Sequence, residues 1–148
     1  MVFETGNFNF EKPKSMKISI LIGILFCSTN FAFGKESDER FIFFLHNRFI
    51  EEHELDELHP EFGRTEYLEI IAEFEKSGFK VISEKRNGNV NARDYAVGVV
   101  AQIDSLIKIG TQPRKITIVG TSKGGYIAQY VSTLANNPNL NFVFIASF

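Results

Sequence analysis

The stretch Lys115-Ile116-Thr117-Ile118-Val119-Gly120-Thr121-Ser122-Lys123-Gly124-Gly125 decides the fold of this chain. Lys115 to Val119 is a short β-branched run with strand character, and from about Lys123 to Ala135 the residues Ile127, Tyr130, Val131 and Leu134 recur at helical spacing. Asn136, Asn137 and Pro138 close that helix. A strand that runs through Gly-x-Ser-x-Gly straight into a helix makes a sharp elbow, in which the serine takes a strained backbone conformation. The residues two before and two after must then be small, and Gly120 and Gly124 meet that need. The elbow presents Ser122 Oγ above the carboxyl end of the strand, beside the free N–H groups of a helix start. The plainer alternative is a glycine-rich reversal with Ser122 as a helix N-cap.

The rest of residues 35–148 alternates in the same way. Phe41 to Leu45, Phe79 to Ser83 and Asn141 to Ala146 are short runs of β-formers, apolar on both faces as buried parallel strands are. Thr65 is expected to cap a helix with Tyr67, Leu68, Ile71 and Phe74 inward and Gly78 at its stop. Asn91 is expected to cap another, with Asp94 in its first turn, a stripe through Ala96, Val99, Val100, Ile103, Leu106 and Ile107, and Gly110 at its end. Four strands and three helices in alternation predict an α/β fold, an open parallel sheet with helices on both faces. The connection from His46 to Arg64 is acidic and histidine-rich, and a structureless loop of that length is a functional candidate.

Composition narrows the function classes. Sixteen basic against 18 acidic side chains give a net charge of −2, so the cationic surplus of a nucleic-acid binder is missing. A single cysteine excludes a disulfide scaffold or a cysteine metal site. The 44% hydrophobic content is that of a globular chain. From Met16 the order is lysine, an apolar run from Ile18 to Phe26, then Ala32 and Gly34, which reads as a secretory signal with cleavage near Gly34. The run is about half the ~20 residues that span a bilayer, so a permanent anchor is the weaker reading, and Phe26 argues against lipid attachment at Cys27. Translation is expected to start at Met16, residues 1–34 to be extension and leader, and the mature part to be periplasmic or secreted, off the membrane.

Three motifs then carry a family resemblance: Leu45-His46-Asn47-Arg48, His59-Pro60-Glu61-Phe62-Gly63, and Thr121-Ser122-Lys123-Gly124-Gly125. From Phe41 to Ser147 the chain resembles the α/β-hydrolases, in particular an exported bacterial hydrolase-like group. The resemblance implies the third to sixth strands of that fold, lying in space as second, first, third and fourth of those read here. It also implies a Ser122 nucleophile that forms a covalent acyl intermediate with an ester, thioester or amide, a small-molecule acyl substrate, and no cofactor. The backbone N–H groups of Arg48 and Lys123 would be the oxyanion donors. His46 would shape that loop, and Asn47 would replace the usual glycine because Asn enters left-handed conformations readily.

The departure from the family is as informative. Its members place an acid and a histidine after the serine, whereas here no Asp, Glu or His follows Ser122. Residues 35–148 are therefore expected to be the N-terminal part of a longer hydrolase domain, inactive alone. Residues 142–148 would then leave an uncovered, aggregation-prone sheet edge. His53 or His59 could serve as base, or could join Glu61 as metal ligands, but a solvated loop that helps select substrates is the better reading, and no metal is expected. Ser122 to Gln129 partly echoes a phosphate-binding loop, yet Ala128 and Gln129 stand where its lysine and hydroxyl belong. A Ser122–Lys123 dyad is disfavoured because adjacent elbow residues point apart. The other class of function is a non-catalytic binding protein on the same scaffold.

Overall fold

A computed structural model describes residues 38–147. The leader, its start at Met16 and its cleavage near Gly34 lie outside the described residues. In chain order the elements are β1 (Arg40–Leu45), α1 (Arg48–Glu52), β2 (Leu58–His59), β3 (Gly63–Arg64), α2 (Tyr67–Lys76), β4 (Phe79–Ile82), α3 (Ala92–Lys108), β5 (Ile116–Thr121), α4 (Lys123–Ala135) and β6 (Asn141–Ile145).

The main sheet is parallel throughout, in the order β4-β1-β5-β6. This is the second, first, third, fourth arrangement expected of the four strands. Because successive strand residues point to opposite faces, β1 feeds two cores. Phe41, Phe43 and Leu45 pack with Ala96, Val99 and Ile103 of α3 and Ile127, Ala128 and Val131 of α4. Ile42 and Phe44 face the other way, against Val119, Ile50 and Tyr67, with Ile70, Ile71 and Phe74 of α2 around them. The Phe44 ring stacks on Tyr67 at 5.9 Å and meets Phe74 edge-on at 5.8 Å. Helices thus cover both faces, and each buried large apolar side chain stabilises this arrangement by ~1.5–3 kcal/mol.

Local signals explain most helix ends. Asn91 Oδ1 accepts from the Arg93 and Asp94 N–H groups at 2.9 and 3.1 Å, satisfying two orphan donors of α3. Gly78 and Gly110, both with positive φ, follow α2 and α3. Asn136, left-handed at φ 43°, ends α4.

Several expectations are corrected. Glu66, not Thr65, precedes α2 without a side-chain cap; Thr65 Oγ1 instead donates to Leu55 O at 3.0 Å, tying down the preceding loop. Leu68 is 59% exposed, because Ile70 rather than Leu68 joins Tyr67, Ile71 and Phe74 on the inner face. Leu134 is 39% exposed and outside the core cluster, to which Ala128 of α4 contributes instead. Val143, Phe144 and Ile145, by contrast, are 43–47% exposed as residues of an uncovered edge are expected to be, with β6 at the end of the sheet order. The connection from His46 to Arg64 is not structureless. It holds the five-residue α1, capped by Asn47, and the antiparallel β2–β3 ladder, in which Leu58 pairs with Arg64 and His59 with Gly63.

Candidate active site at the β5–α4 elbow

β5 ends at Thr121, α4 begins at Lys123, and Ser122 alone makes the turn, at φ 49° and ψ −118°. A non-glycine residue in that region costs ~1–3 kcal/mol and persists only where its surroundings hold it. Here Ser122 N–H donates to Ile145 O at 2.8 Å and Ser122 O accepts from Tyr126 N–H at 3.0 Å. The flanking glycines are demanded by contact between main chains. A Cβ on Gly120 would lie 2.6 Å from the Gly124 carbonyl carbon and 2.7 Å from Gly125 Cα. One on Gly124 would strike the Leu45 carbonyl and lie 2.5 Å from His46 O. A Cβ on Gly125 would lie 2.8 Å from Ser147 Oγ. α4 therefore rests directly on the end of β1.

Ser122 is exposed and lines a cleft of about 330 Å³ with Arg48, Asn89, Lys123, Tyr126 and Ser147. Its Oγ makes no hydrogen bond among the described residues. Arg48 and Lys123 are the first residues of α1 and α4, and amides at that position have no acceptor within their own helix. Asn47 is not left-handed as expected. It is extended, at φ −73° and ψ 177°, and acts as the N-cap of α1, its Oδ1 accepting from Ile50 N–H at 3.0 Å. A capping asparagine does not need the glycine-like conformation, because its side chain replaces a backbone turn.

Behind the cleft lies a charged network that no pattern in the sequence points to. Glu51 and Arg86, both with fully buried side chains, form an ion pair at 3.1 Å through Arg86 Nε. The other Glu51 oxygen accepts from Lys123 Nζ at 2.6 Å and from Val90 N–H at 2.7 Å. Lys123 Nζ also donates to Asn89 Oδ1 at 3.0 Å. Burial would raise the Glu51 carboxyl above its ordinary range, but the hydrogen bonds from Lys123, Val90 and Arg86 outweigh it and hold it below. One carboxylate thus ties α1 and the loop after β4 to the first residue of α4.

His46 completes the network and is fully buried. Its Nδ1–H donates to Asn47 O at 2.8 Å, and its Nε2 accepts from Arg86 N–H at 2.8 Å. The Arg86 guanidinium also donates to His46 O and sits 5.4 Å from the Tyr95 ring centroid, while its Nη1 is buried without a partner. Burial, reinforced by the Arg86 charge, pushes the imidazole down to about 4. With both ring nitrogens engaged, this neutral histidine shapes the loop and is not free to take a proton.

The remaining sequence candidates do not line the Ser122 cleft. His53 Nδ1 pairs with Glu57 at 2.7 Å and its ring stacks on Phe49 at 4.1 Å. His59 Nδ1 accepts from the N–H groups of Glu61 and Phe62 at 3.1 and 3.2 Å, which shapes the β2–β3 turn. Among the described residues no three His, Cys, Asp or Glu side chains gather as a metal site would require. No helix among them is long and apolar enough to cross a membrane. No family model matches this chain, and no curated protein sequence matches it.

Proposed function

We propose that the chain carries the nucleophile and oxyanion donors of a serine hydrolase of the α/β-hydrolase type. One observation carries the reading: Ser122 holds φ 49° and ψ −118° between a parallel strand and a helix, over glycines at 120 and 124 where no Cβ fits. That strained, exposed geometry has a cost in stability and a use in presenting a hydroxyl. In this reading Ser122 Oγ attacks the carbonyl carbon of an ester, thioester or amide, and the Arg48 and Lys123 N–H groups meet the developing oxyanion. The bond to the leaving group breaks, the leaving group departs with a proton, and water then cleaves the acyl-serine. The leader-like stretch from Met16 to Gly34 supports action outside the cytoplasm.

The Oγ proton needs an acceptor. No Asp, Glu or His follows Ser122 in the sequence, and His46 is fully engaged, so we infer that this polypeptide alone reacts slowly. A fluorophosphonate probe on the full chain tests the reading. Labelling is expected at Ser122, slowly, with a rate that rises as imidazole is added as an external base, and with no labelling of Ser122→Ala. Failure to label Ser122 even in imidazole overturns the hydrolase reading. No Asp, Glu or His is among the described residues that line the Ser122 cleft, and the second reading is a non-catalytic binding protein whose partner binding survives Ser122→Ala.

A further inference from the structure

A pocket of about 470 Å³ lies beyond the elbow, under α1 and the β2–β3 turn. It reaches Asn47 and Thr121, the residues bonded directly to Arg48 and Ser122. The pocket thus borders the cleft that Arg48 and Ser122 line. Its volume lies within the range of small-molecule sites.

Part of its wall is aromatic, beside the polar Asn47, Arg64, Thr65 and Glu66. Phe49, His59 and Phe62 form a connected group, with ring centroids 4.8 Å apart between Phe49 and His59 and 4.7 Å between His59 and Phe62. Tyr67 and Phe44 close the inner side. Phe62 is 77% exposed, although it packs on His59 and sits in a short, tight hairpin. Its exposed face is open to a ring bound at the pocket mouth. A polar handle is present as well. His59 Nδ1 is occupied by two backbone N–H groups, which leaves Nε2 as the ring nitrogen without a partner among the described residues.

We propose that this pocket is the acyl subsite of the enzyme and that it takes an aryl acyl group, the ring lying against Phe62, Phe49 and His59. This rests on the reading of Ser122 as nucleophile. Aromatic side chains prefer aromatic ligands because the edge of one ring meets the negative face of another, an effect of about 2- to 12-fold in affinity beyond area alone. The aromatic wall thus selects a benzoate-like ester over a saturated ring of the same size.

The test uses the full chain with Ser122→Ala, so that binding is read without turnover. Methyl 4-fluorobenzoate, followed by fluorine NMR, is compared with methyl cyclohexanecarboxylate as competitor. The aryl ester is expected to bind several-fold more tightly and to give intermolecular NOEs to the Phe49 and Phe62 ring protons. Phe62→Leu, at an exposed position where folding is not at stake, is expected to remove the preference while leaving the cyclohexyl ester within about twofold. Equal affinity for the two esters, a preference unchanged in Phe62→Leu, or NOEs elsewhere overturns the assignment. Probe labelling of the unaltered chain reads the nucleophile separately. Ser122 labelling without these NOEs refutes the subsite, and these NOEs without labelling refute the nucleophile and, with it, the acyl role of the pocket.

Discussion

Replacing Glu51 by Ala removes one carboxylate and leaves two cations without their partner. The Arg86 side chain is fully buried and holds its ion pair at 3.1 Å, and Lys123 Nζ, largely buried, sits 2.6 Å from the other oxygen. Val90 N–H loses its acceptor as well. Breaking a buried pair by deleting one member costs about 3–5 kcal/mol, most of it from the charge left behind. Domain stabilities are ~5–15 kcal/mol in total, so Glu51→Ala is expected to lose about a fifth or more of the urea-unfolding free energy. Glu51→Gln keeps the shape but turns an N–H₂ group toward cations or an amide donor, and is expected to cost ~1–3 kcal/mol. The decisive measurement is the double variant Glu51→Met, Arg86→Met. With that ion pair gone and comparable volume retained, only Lys123, which keeps Asn89 Oδ1, and the Val90 N–H still miss the carboxylate, so stability is expected to return to within ~1–3 kcal/mol of the parent, because apolar replacements of buried pairs are often neutral and an unmet donor costs about that much. Simple addition of the two single losses, or a Glu51→Ala loss under 1 kcal/mol, would refute the claim that this pair is dry and mutually dependent.

Other predictions concern the same turn. The folded chain holds His46 neutral down to about 4, whereas an unfolded imidazole takes up its proton near 6.5. The unfolded state therefore binds the extra proton, and stability is expected to fall by up to ~1.4 kcal/mol per unit as pH drops from 6.5 toward 4; a urea midpoint flat between pH 7 and 5 refutes this. Glu51, held low in the folded state, adds a further loss below the ordinary carboxylate range, with the same sign. Gly124→Ala forces a Cβ into the Leu45 carbonyl and is expected to cost ~3 kcal/mol or more, while Gly98→Ala in α3, where a Cβ meets nothing within 4 Å, is expected to gain ~0.5–1 kcal/mol; equal effects of the two in thermal melts contradict the packing argument. Ser122→Gly relieves a positive φ and is expected to raise stability by up to ~1 kcal/mol while abolishing probe labelling; a loss of stability there speaks against strain at the elbow.

The sheet was legible because its strands are local, dense signals. Phe41 to Leu45 is apolar at every position, which only a strand buried on both faces explains, and Gly110 and Asn91 carry their backbone roles in their chemistry. The elbow was legible because contact between main chains demands glycine at 120 and 124 and nothing else will serve. Asn47 was located but misread, since an asparagine before a helix start can cap or turn, and only the position of the Ile50 amide decides between them. Glu51 and Arg86 were missed for a different reason. α1 is too short for a periodic pattern, and the partners are separated by 35 positions along the chain, so each read as an ordinary solvated charge. The aromatic grouping of Phe49, His59 and Phe62 escaped notice because the β2–β3 ladder that folds it together has only two residues per strand.

The glycine contacts at the elbow have a mechanical consequence. Where Gly124 meets the Leu45 carbonyl and Gly120 meets the carbonyl of Gly124, no side chain intervenes. The position of Ser122 relative to the end of β1 is therefore set by peptide planes, which do not hop between rotamers, and not by packing that loosens with temperature. Substitutions elsewhere in the core can lower the melting temperature without shifting the Ser122 main chain, so stability and elbow geometry can vary independently in this chain.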